Sequence, residues 1–524
     1  MERASRGALV NVCQALDEAC RRFAERPALV SLRDGGERKT SYRELYDLAL
    51  AFRADWLERG LQPGDRVAVL LDNSVALVAS EWACLLGGFL WVALSSRWSA
   101  EEIDAVLSDC RPSLLLAGNR QRELARALAP PRDCRLEYVD EDQPAVGAAA
   151  ARPRRWPAPG DPVRIRYTSG TAGAPKGAVL TRSNYDASVE TVAGVLGPLS
   201  EGDVVVQAAP MTHASGAMLI PHLLVGARAL LTGRFDAQAF IEQVQRYGGT
   251  AAFLVPTMLV RVLEALDRPE RLSSLRTIVY GGASMPVDRL VRGLELLGPV
   301  FVQIYGLTES TWPVTALSKE DHLRRPGEDV AGWHARLASC GRPTAVGELR
   351  VVKPGGEDAA PGEAGEIWVR GRNTMRGYWG GVDDEQGKGL DENGWMHTGD
   401  VGIRDGEGYV TIIDRLHDMI VSGGFNVYPR EVEHALSSHP GVLESAVVGR
   451  PHPDWGEAVH AFVVLRPGAA ATEQELIAHC GRHLAGYKKP KQIEFVDSLP
   501  KNASGKILRR VLRDRLRQAV AERR

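Results

Sequence analysis

The sequence predicts an α/β protein, in which a large N-terminal domain of parallel sheets covered by helices, with a small β-barrel subdomain, precedes a small α+β domain. The chain of 524 residues is too long for one ordinary domain and long enough for two. Up to about residue 410, short apolar segments alternate with amphipathic helical ones, which is typical of parallel sheets packed between helices. The pattern becomes β-rich after residue 341 and changes again near residue 415.

The first part of the chain supplies most of the predicted strands. They are short apolar runs bounded by glycine, proline or polar residues: 67-VAVLL-71, 113-SLLLAG-118, 204-VVVQAAP-210, 251-AAFLVP-256 and 277-TIVYGG-282. Apolar residues recur at helical spacing between them, as in 101-EEIDAVLSDC-110 and 236-DAQAFIEQVQRYG-248. Ligands of such sheets bind beyond the carboxyl ends of the strands, so we expect functional loops there.

The second part of the chain contains two smaller units. A turn-rich segment with 341-GRPTAVGELRVV-352, 365-GEIWVRG-371 and 408-GYVTIID-414 predicts the barrel-like subdomain. The segments 427–439, 444–465 and 473–484 then predict a helix, two strands and a helix. We therefore place the N-terminal core domain at residues 1–414 and the C-terminal domain at residues 415–524.

Composition and charge exclude several functional classes. A formal charge of −2 and a pI near 6.7 give no general attraction for nucleic acid or anionic lipid. The seven cysteines are scattered and form no CxxC pair, which favours reduced thiols in the cytoplasm and argues against a zinc site. The longest apolar run, 82-WACLLGGFLWVAL-94, is shorter than the roughly 20 residues of a membrane span. It predicts a helix end, a Gly-Gly turn and a strand.

The stretch 167-YTSGTAGAPKG-177 combines glycines, hydroxyl residues and one lysine. It differs from a Walker loop, because Pro175 precedes Lys176 and Gly177 follows it, whereas that loop needs a serine or threonine after the lysine. Glycines and upstream hydroxyls can still wrap a polyphosphate with N–H and O–H donors. Only ten of the 64 basic residues are lysines. A lysine in this position is therefore notable, since a compact ammonium approaches a crowded phosphate differently from a guanidinium.

Six motifs follow one another in a fixed order along the chain. They are 167-YTSGTAGAPKG-177, 281-GGASMP-286, 305-YGLTE-309, 395-WMHTGD-400, 414-DRLHDMIVSGGFNVYPREVE-433 and 501-KNASGKILRR-510. In this order and spacing they resemble the adenylate-forming superfamily of acyl- and aryl-CoA synthetases, luciferases and adenylation domains. The resemblance covers nearly the whole chain. It implies that the first motif holds the β- and γ-phosphates of ATP while a carboxylate attacks the α-phosphate, and that the C-terminal domain is mobile.

The resemblance also implies roles for individual residues. Thr308 would bond the α-phosphate, Glu309 would ligate Mg²⁺, and Lys506 would be the cation of the first half-reaction. Asp400 would accept hydrogen bonds from the ribose hydroxyls, with Arg415 beside it. The remaining phosphate and adenine contacts would come from Thr168, Ser169, Gly170, Thr171, Lys176, Gly281, Gly282, Ala283, Tyr305 and Gly306. Two residues depart from the family pattern. Ala172 replaces a usual hydroxyl residue, and His417 stands at the hinge of the mobile domain, where the family usually has Lys or Asp.

The resemblance narrows the acid substrate. Adenylation domains for α-amino acids place an Asp in the block after the loop, whereas this chain has His213 in 210-PMTHASG-216, so an α-amino acid is disfavoured. We expect His213 to serve both as a catalytic residue and in the acyl pocket. The pocket would contain His213, Met218, Tyr280, Gly281, Ile304 and Trp312. If Trp312 shortens the tunnel, it favours an aryl or medium-chain acid, although it could equally be a packing residue.

Coenzyme A is the leading acceptor, in a tunnel beside Gly423, Gly424 and Phe425, and a free-standing acyl carrier protein is the second. Related enzymes also pass the adenylate to other nucleophiles or activate nitrite to diazotise an aryl amine. A non-catalytic nucleotide-binding protein is the alternative from another class. We expect a small-molecule acid as partner, with no nucleic acid and no membrane span. The sequence leaves a monomer and a homodimer both open.

Overall fold

The computed structural model describes residues 11–33, 36–142, 144, 156–167, 175–311, 313–381, 389–423, 425–453, 455–501 and 507–521. Several helices begin at a polar cap; Ser41, Ser99 and Thr472 each accept a hydrogen bond from the backbone of the first turn in a capping box. The helices are α1 (Val12–Arg22), α2 (Tyr42–Glu58), α3 (Val75–Gly87), α4 (Ala100–Cys110), α5 (Arg122–Ala127), α6 (Arg182–Leu196), α7 (Leu219–Leu224), α8 (Ala237–Tyr247), α9 (Pro256–Ala265), α10 (Val287–Leu297), α11 (Val330–Ala338), α12 (Pro429–Ser437), α13 (Glu473–His483) and α14 (Arg509–Ala521).

The strands alternate with these helices over the first 310 residues and predominate afterwards. They are β1 (Pro27–Arg33), β2 (Gly36–Ser41), β3 (Arg66–Leu70), β4 (Leu90–Leu94), β5 (Leu114–Gly118), β6 (Arg135–Val139), β7 (Pro162–Tyr167), β8 (Gly177–Thr181), β9 (Val204–Gln207), β10 (Arg228–Leu231), β11 (Ala251–Leu254), β12 (Thr277–Gly281), β13 (Phe301–Tyr305), β14 (Thr315–Leu317), β15 (Arg342–Pro343), β16 (Gly347–Val352), β17 (Ala364–Gly371), β18 (Gly377–Tyr378), β19 (Gly389–Leu390), β20 (Met396–Arg404), β21 (Val410–Arg415), β22 (Ile420–Ser422), β23 (Phe425–Val427), β24 (Val442–His452), β25 (Gly456–Leu465) and β26 (Gln492–Phe495).

Within the described ranges the strands form four sheets. A nine-stranded sheet has the order β15-β14-β13-β12-β11-β9-β10-β1-β2, and a seven-stranded sheet has the order β18-β8-β7-β4-β3-β5-β6. The central pairs of both are parallel, as the alternation of strands and helices predicts. The β-rich segment forms an antiparallel sheet of β16, β17, β20, β19 and β21. The fourth sheet contains β22 to β26.

The nine-stranded sheet is buried on both faces. Val279 and Ile304 point into one apolar core, together with Phe253 and Met218. Tyr280, the neighbour of Val279 in β12, points into a second core formed with helices α8 to α11. Successive residues of a strand face opposite sides of the sheet, so this alternation divides the predicted pocket residues between two cores.

The C-terminal sheet packs helices on both of its faces. Val432 of α12 and Leu476 of α13 lie in one apolar core, whereas Leu512 and Leu516 of α14 pack against Phe462 on the other face. The basic C-terminal helix is therefore anchored by its leucines. The last strand of the preceding sheet, β21, ends at Arg415, and the next sheet begins at Ile420. A domain boundary at residues 414 and 415 stays a prediction.

The run 82–94 has the predicted structure: α3 ends at Gly87, Gly88 adopts a left-handed conformation, and β4 begins at Leu90. Its apolar residues belong to the core. No helix in the described ranges has the length and apolar character needed to cross a membrane.

A buried histidine connects β12 to the segment before α11. Nδ1 of His322 lies 2.6 Å from the carbonyl oxygen of Ser318 and must donate to it, so Nε2 accepts from the hydroxyl of Tyr280 at 2.9 Å. Burial lowers the pKa of His322 to about 4. In the unfolded chain a histidine titrates near ~6.5, so the unfolded state binds a proton that the folded state excludes. His322 therefore stabilises the fold above pH ~6.5, and this contribution is lost as the pH falls towards 4.

We expect His322→Phe to flatten the pH dependence of stability. The variant should unfold about 1–3 kcal/mol more easily at pH 7.5, because the carbonyl of Ser318 loses its donor and the hydroxyl of Tyr280 keeps only its longer contact, at 3.3 Å, with Gln303. Between pH 6.5 and 4.5 its free energy of unfolding should fall less steeply than that of the wild type. Urea unfolding at four pH values measures both effects, with the exposed His434→Gln as a control. Parallel stability curves for wild type and His322→Phe would contradict this prediction.

Candidate active site

The predicted nucleotide motifs meet at one edge of the nine-stranded sheet. Strands β12 and β13 are parallel neighbours, in which Gly281 pairs with Ile304, and they end at Gly281 and Tyr305. A Cβ atom on Gly281 would lie 2.4 Å from the carbonyl oxygen of Ile304, so only glycine fits there. Gly282 adopts φ +83° and, like Ala283, is exposed beyond the strand end. The Gly281–Ala283 backbone thus lies free at the edge where a ligand loop is expected.

Tyr305, Asp400 and Arg415 form a hydrogen-bonded group that we call the ribose triad. The hydroxyl of Tyr305 donates to Oδ2 of Asp400 at 2.7 Å, and Nε of Arg415 lies 2.6 Å from Oδ1. Antiparallel pairing of β20 with β21 places Asp400 opposite Arg415. The carboxylate is 3% exposed and is held rigidly, yet each of its oxygens retains a lone pair that can accept a further hydrogen bond.

Glu309 and Lys176 are brought together by Tyr378, which the sequence did not single out. The hydroxyl of Tyr378 donates to Oε1 of Glu309 at 3.0 Å, and Nζ of Lys176 lies 5.8 Å from the centroid of the Tyr378 ring. The two-residue strand β18 pairs with β8 and so positions this tyrosine beside the lysine that precedes β8. The one feature of the sequence that could have pointed to Tyr378 is its place as an aromatic residue in the short segment 377-GYW-379.

The turn that carries Thr308 and Glu309 is fixed on both sides. The backbone N–H of Leu307 donates to Oγ of Ser310 at 3.0 Å, and the N–H of Met375 donates to the carbonyl of Glu309 at 2.7 Å. Thr311 adopts φ +32°, which is strained for a β-branched residue, and its hydroxyl bonds the carbonyl of Asn373. Thr308 and Gly306 are half-buried beside this turn.

The segment around His213 is braced by Asn73, which sequence reasoning also missed. The amide of Asn73 donates to the carbonyls of Gln207 and Ala209 and accepts from the N–H of Met211 at 2.8 Å. His213 itself is exposed, and its Nδ1 lies 2.9 Å from Oγ1 of Thr212. The surrounding protein and the charges of two nearby arginines lower the pKa of His213 to about 4. The ring is therefore neutral at physiological pH.

The structure brings together only some of the predicted acyl-pocket residues. Met218 and Ile304 belong to the same apolar core, on the face of the nine-stranded sheet nearest the His213 segment. The side chain of Tyr280 lies on the opposite face and is fully buried against Phe301 and His322. Its place in the pocket stays a prediction that no contact in the described residues supports.

In the C-terminal domain, Gly423 and Phe425 flank the turn between β22 and β23. Gly423 adopts φ +60°, and its N–H donates to the carbonyl of Trp455 at 2.9 Å. Phe425 is 56% exposed and stacks on Tyr487 with ring centroids 4.7 Å apart. The backbone at His417 belongs to a short 3₁₀ turn, Leu416–Asp418. The acceptor tunnel and the hinge stay predictions.

Several predicted residues lie outside the described residues, and their roles stay predictions. They are Thr168, Ser169, Gly170, Thr171, Ala172, Trp312, Gly424 and Lys506, together with the side chain of His417.

The donor set fits magnesium better than a metal held entirely by protein. No group of three or more acidic, histidine or cysteine side chains forms a metal cluster in the part of the chain that the structure describes. Magnesium commonly binds through one or two carboxylates and substrate phosphates and keeps several waters, so Glu309 alone is compatible with it.

Comparison with known proteins agrees with this arrangement. The family model "AMP-binding enzyme" matches residues 16–379, and "AMP-binding enzyme C-terminal domain" matches residues 431–506. The chain is 38% identical to a feruloyl-CoA synthase of Amycolatopsis sp., over 94% of this chain and 97% of the relative. It is 36% identical to a 2-succinylbenzoate–CoA ligase of Bacillus velezensis, over 91% and 93%.

A solved structure extends the likeness to three dimensions. The o-succinylbenzoate CoA synthetase of Bacillus subtilis, in complex with its acyl-adenylate intermediate, superposes with a TM-score of 0.82 at 31% identity, covering 95% of this chain and 97% of that one. The fold predicted from the sequence, a large domain of parallel sheets with a smaller C-terminal domain, is confirmed. The chain therefore belongs to the AMP-binding enzyme family and is an AMP-forming ligase of the acyl-CoA synthetase type.

Proposed function

We propose that the protein activates an aryl or medium-chain carboxylic acid with ATP and transfers the acyl group to coenzyme A. A carboxylate oxygen attacks the α-phosphorus, the bond from that phosphorus to the bridging oxygen breaks, and pyrophosphate leaves. The sulfur of the thiolate then attacks the acyl carbon, and AMP leaves with the oxygen that came from the acid. The thiol gives up its proton in this second step.

The observation that carries the proposal is that Tyr378 bonds Glu309 and lies beside Lys176. Glu309 follows Tyr305, a member of the ribose triad, in the same segment of the chain. Asp400 would accept the ribose hydroxyls, while Lys176 would hold phosphate oxygens and Thr308 would donate to the α-phosphate. Magnesium bound at Glu309 would supply positive charge to the phosphates. Because the triad is buried and already bonded, its carboxylate needs no reorganisation when the nucleotide binds.

An aryl acid is supported by the relatives and by the residues around His213. The names of the feruloyl-CoA synthase and the 2-succinylbenzoate–CoA ligase both contain an aryl acid. Met218 and Ile304 lie in the apolar core on the sheet face nearest the His213 segment, and an aromatic acid beside them would meet an apolar surface and a neutral histidine. A medium-chain acid remains the alternative.

Coenzyme A is supported as the acceptor because both relatives are named as CoA enzymes. An exposed aromatic pair, Phe425 and Tyr487, lies beside Gly423, where we predict the acceptor tunnel. A carrier protein as acceptor, a cytoplasmic location, and a monomeric or homodimeric state stay predictions.

Pyrophosphate release tests the proposal. Mg-ATP is mixed with the protein and a panel of aryl and aliphatic acids, with and without coenzyme A, and the final products are analysed by mass. We expect acid-dependent pyrophosphate and a CoA thioester. ADP with orthophosphate as primary products would contradict the proposal. ATP binding with no turnover for any acid would favour the non-catalytic reading. When the assay is repeated with an acyl carrier protein, or with nitrite and an aryl amine, a carrier-bound or diazo product in place of the CoA thioester would favour that alternative.

A further inference from the structure

The guanidinium of Arg166 is a charge for which the described structure provides no partner. Along β7, Ile165 and Tyr167 pack into the core of the seven-stranded sheet, so alternation directs Arg164 and Arg166 to the other face. The Nε atom of Arg166 is inaccessible and has no hydrogen-bond partner in the described residues. None of the described carboxylates forms an ion pair with it. Arg166 is half-buried, whereas the fully buried Arg164, Arg182 and Arg336 each have an ion-pair partner.

The carboxylate whose charge acts on Arg166, that of Glu81, already has two other partners. Arg164 ion-pairs with Glu81, and the hydroxyl of Tyr185 donates to the same carboxylate at 2.6 Å. Burial, followed by the charge of Arg164, lowers the pKa of Arg166 to about 9. Arg166 is therefore still charged at neutral pH. Withdrawing part of a charged group from water without a partner costs free energy, so the position is unlike one selected for stability alone.

Arg166 lies at the site and not on a remote surface. Its charge and that of Arg97 help to lower the pKa of His213, which is predicted to belong to the acyl pocket. Strand β7 runs beside the turn Thr308–Ser310, which carries the predicted α-phosphate contact. Arg166 therefore adds positive charge beside this turn and near His213. A ligand carboxylate that lies there would meet a guanidinium without an ion-pair partner.

We propose that the acid substrate carries a second carboxylate, in addition to the one that is activated, and that Arg166 binds it. The inference rests on the proposed function and specifies its substrate class as dicarboxylic acids. A planar guanidinium matches a carboxylate with two parallel hydrogen bonds, and a ligand charge would offset the desolvation of Arg166. The activated carboxylate is needed at the α-phosphate, where Thr308 and, by prediction, Lys506 would meet it. The second carboxylate is left for Arg166.

Matched acids that differ by one carboxylate test the proposal. Suitable pairs are 2-succinylbenzoate with 4-oxo-4-phenylbutanoate, and 4-carboxycinnamate with cinnamate. For wild-type protein we expect kcat/KM to favour the dicarboxylic member of at least one pair by about 30-fold or more, the usual effect of a buried charge pair. Arg166→Gln should remove this preference by slowing the dicarboxylic acid alone. Arg166→Lys should restore part of it, and the KM for ATP should stay within about twofold in both variants.

The unfolding temperature, measured without and with a dicarboxylic acid, is a second readout. It distinguishes a binding role of Arg166 from a purely structural one. Arg166→Gln should unfold at the same temperature as wild type or higher, because it removes a half-buried charge that has no ion-pair partner. A dicarboxylic acid should raise the unfolding temperature of wild type and not of Arg166→Gln. Arg164→Gln is the control on the same strand face, and it should lower stability because Glu81 loses its partner.

Three results would overturn the proposal: wild type treats the members of every pair alike, Arg166→Gln slows both members equally, or only the KM for ATP rises. Equal slowing of both members would assign Arg166 to the activated carboxylate. A rise in the KM for ATP alone would assign it to a phosphate. Failure of the proposed function is seen separately, as absence of pyrophosphate with every acid. In that case the shift in unfolding temperature still decides whether Arg166 binds a dicarboxylic acid.

Discussion

Asp400→Asn is expected to raise the KM for ATP by roughly 10- to 100-fold. The change leaves the shape of the ribose triad intact but removes the negative charge that accepts from the ribose, and a hydrogen bond to a charged group contributes about 1.5–3 kcal/mol. Arg415 would lose its ion-pair partner, so the free energy of unfolding should fall by about 3 kcal/mol. Steady-state kinetics and urea unfolding of the same preparation measure the two effects.

A second triad of the same residue types provides a matched control. At the other end of β21, the hydroxyl of Tyr409 donates to Asp321, and Arg342 lies 3.2 Å from the same carboxylate. Asp321→Asn should therefore lower stability by a similar amount and leave the KM for ATP unchanged. An equal rise in KM in both variants would show that the effect of Asp400→Asn is a general loss of structure. An unchanged KM in Asp400→Asn would exclude Asp400 from the nucleotide site.

Lys506→Ala is expected to slow adenylation by about 100- to 1,000-fold, the loss found when one preorganised donor is removed from a developing charge. Conversion of a supplied acyl-adenylate to thioester should change little, because Lys506 is predicted to contact the α-phosphate only in the domain position of the first half-reaction. His417→Pro should have the opposite effect, since proline fixes φ at the predicted hinge and restricts rotation of the C-terminal domain. Pyrophosphate release and thioester formation are measured separately in each variant.

Lys501→Ala is the control for Lys506→Ala. Lys501 is a nearby lysine whose ammonium pairs with Glu444 at the surface, where an ion pair contributes little. Both half-reactions should therefore proceed at the wild-type rate. Equal loss of both steps in Lys506→Ala and in His417→Pro would contradict the alternation of the C-terminal domain between two positions.

The sequence predicts the elements of this fold well where local physics decides them. Gly87 and Gly88 end α3 because a left-handed residue terminates a helix, and the apolar run from residue 90 follows as a strand. Gly281 is a further example, since its strand neighbour leaves no room for a side chain.

The orientation of Tyr280 could not be predicted from the sequence. Strand β12 is buried on both faces, so its apolar residues show no alternation that would distinguish the acyl side from the other side. Tyr378 and Asn73 were missed for a different reason. They reach the site through pairing with strands or loops more than 130 residues away in the sequence, which no local pattern reports.

An isotope measurement tests the central claim most directly. The acid is labelled with ¹⁸O in its carboxylate and incubated with Mg-ATP, coenzyme A and the protein, and the AMP, pyrophosphate and thioester are analysed by mass. Attack of the carboxylate on the α-phosphorus predicts one ¹⁸O atom in AMP, none in pyrophosphate and one in the thioester carbonyl. Label in pyrophosphate or orthophosphate, or unlabelled AMP beside a labelled thioester, would contradict an acyl-adenylate intermediate.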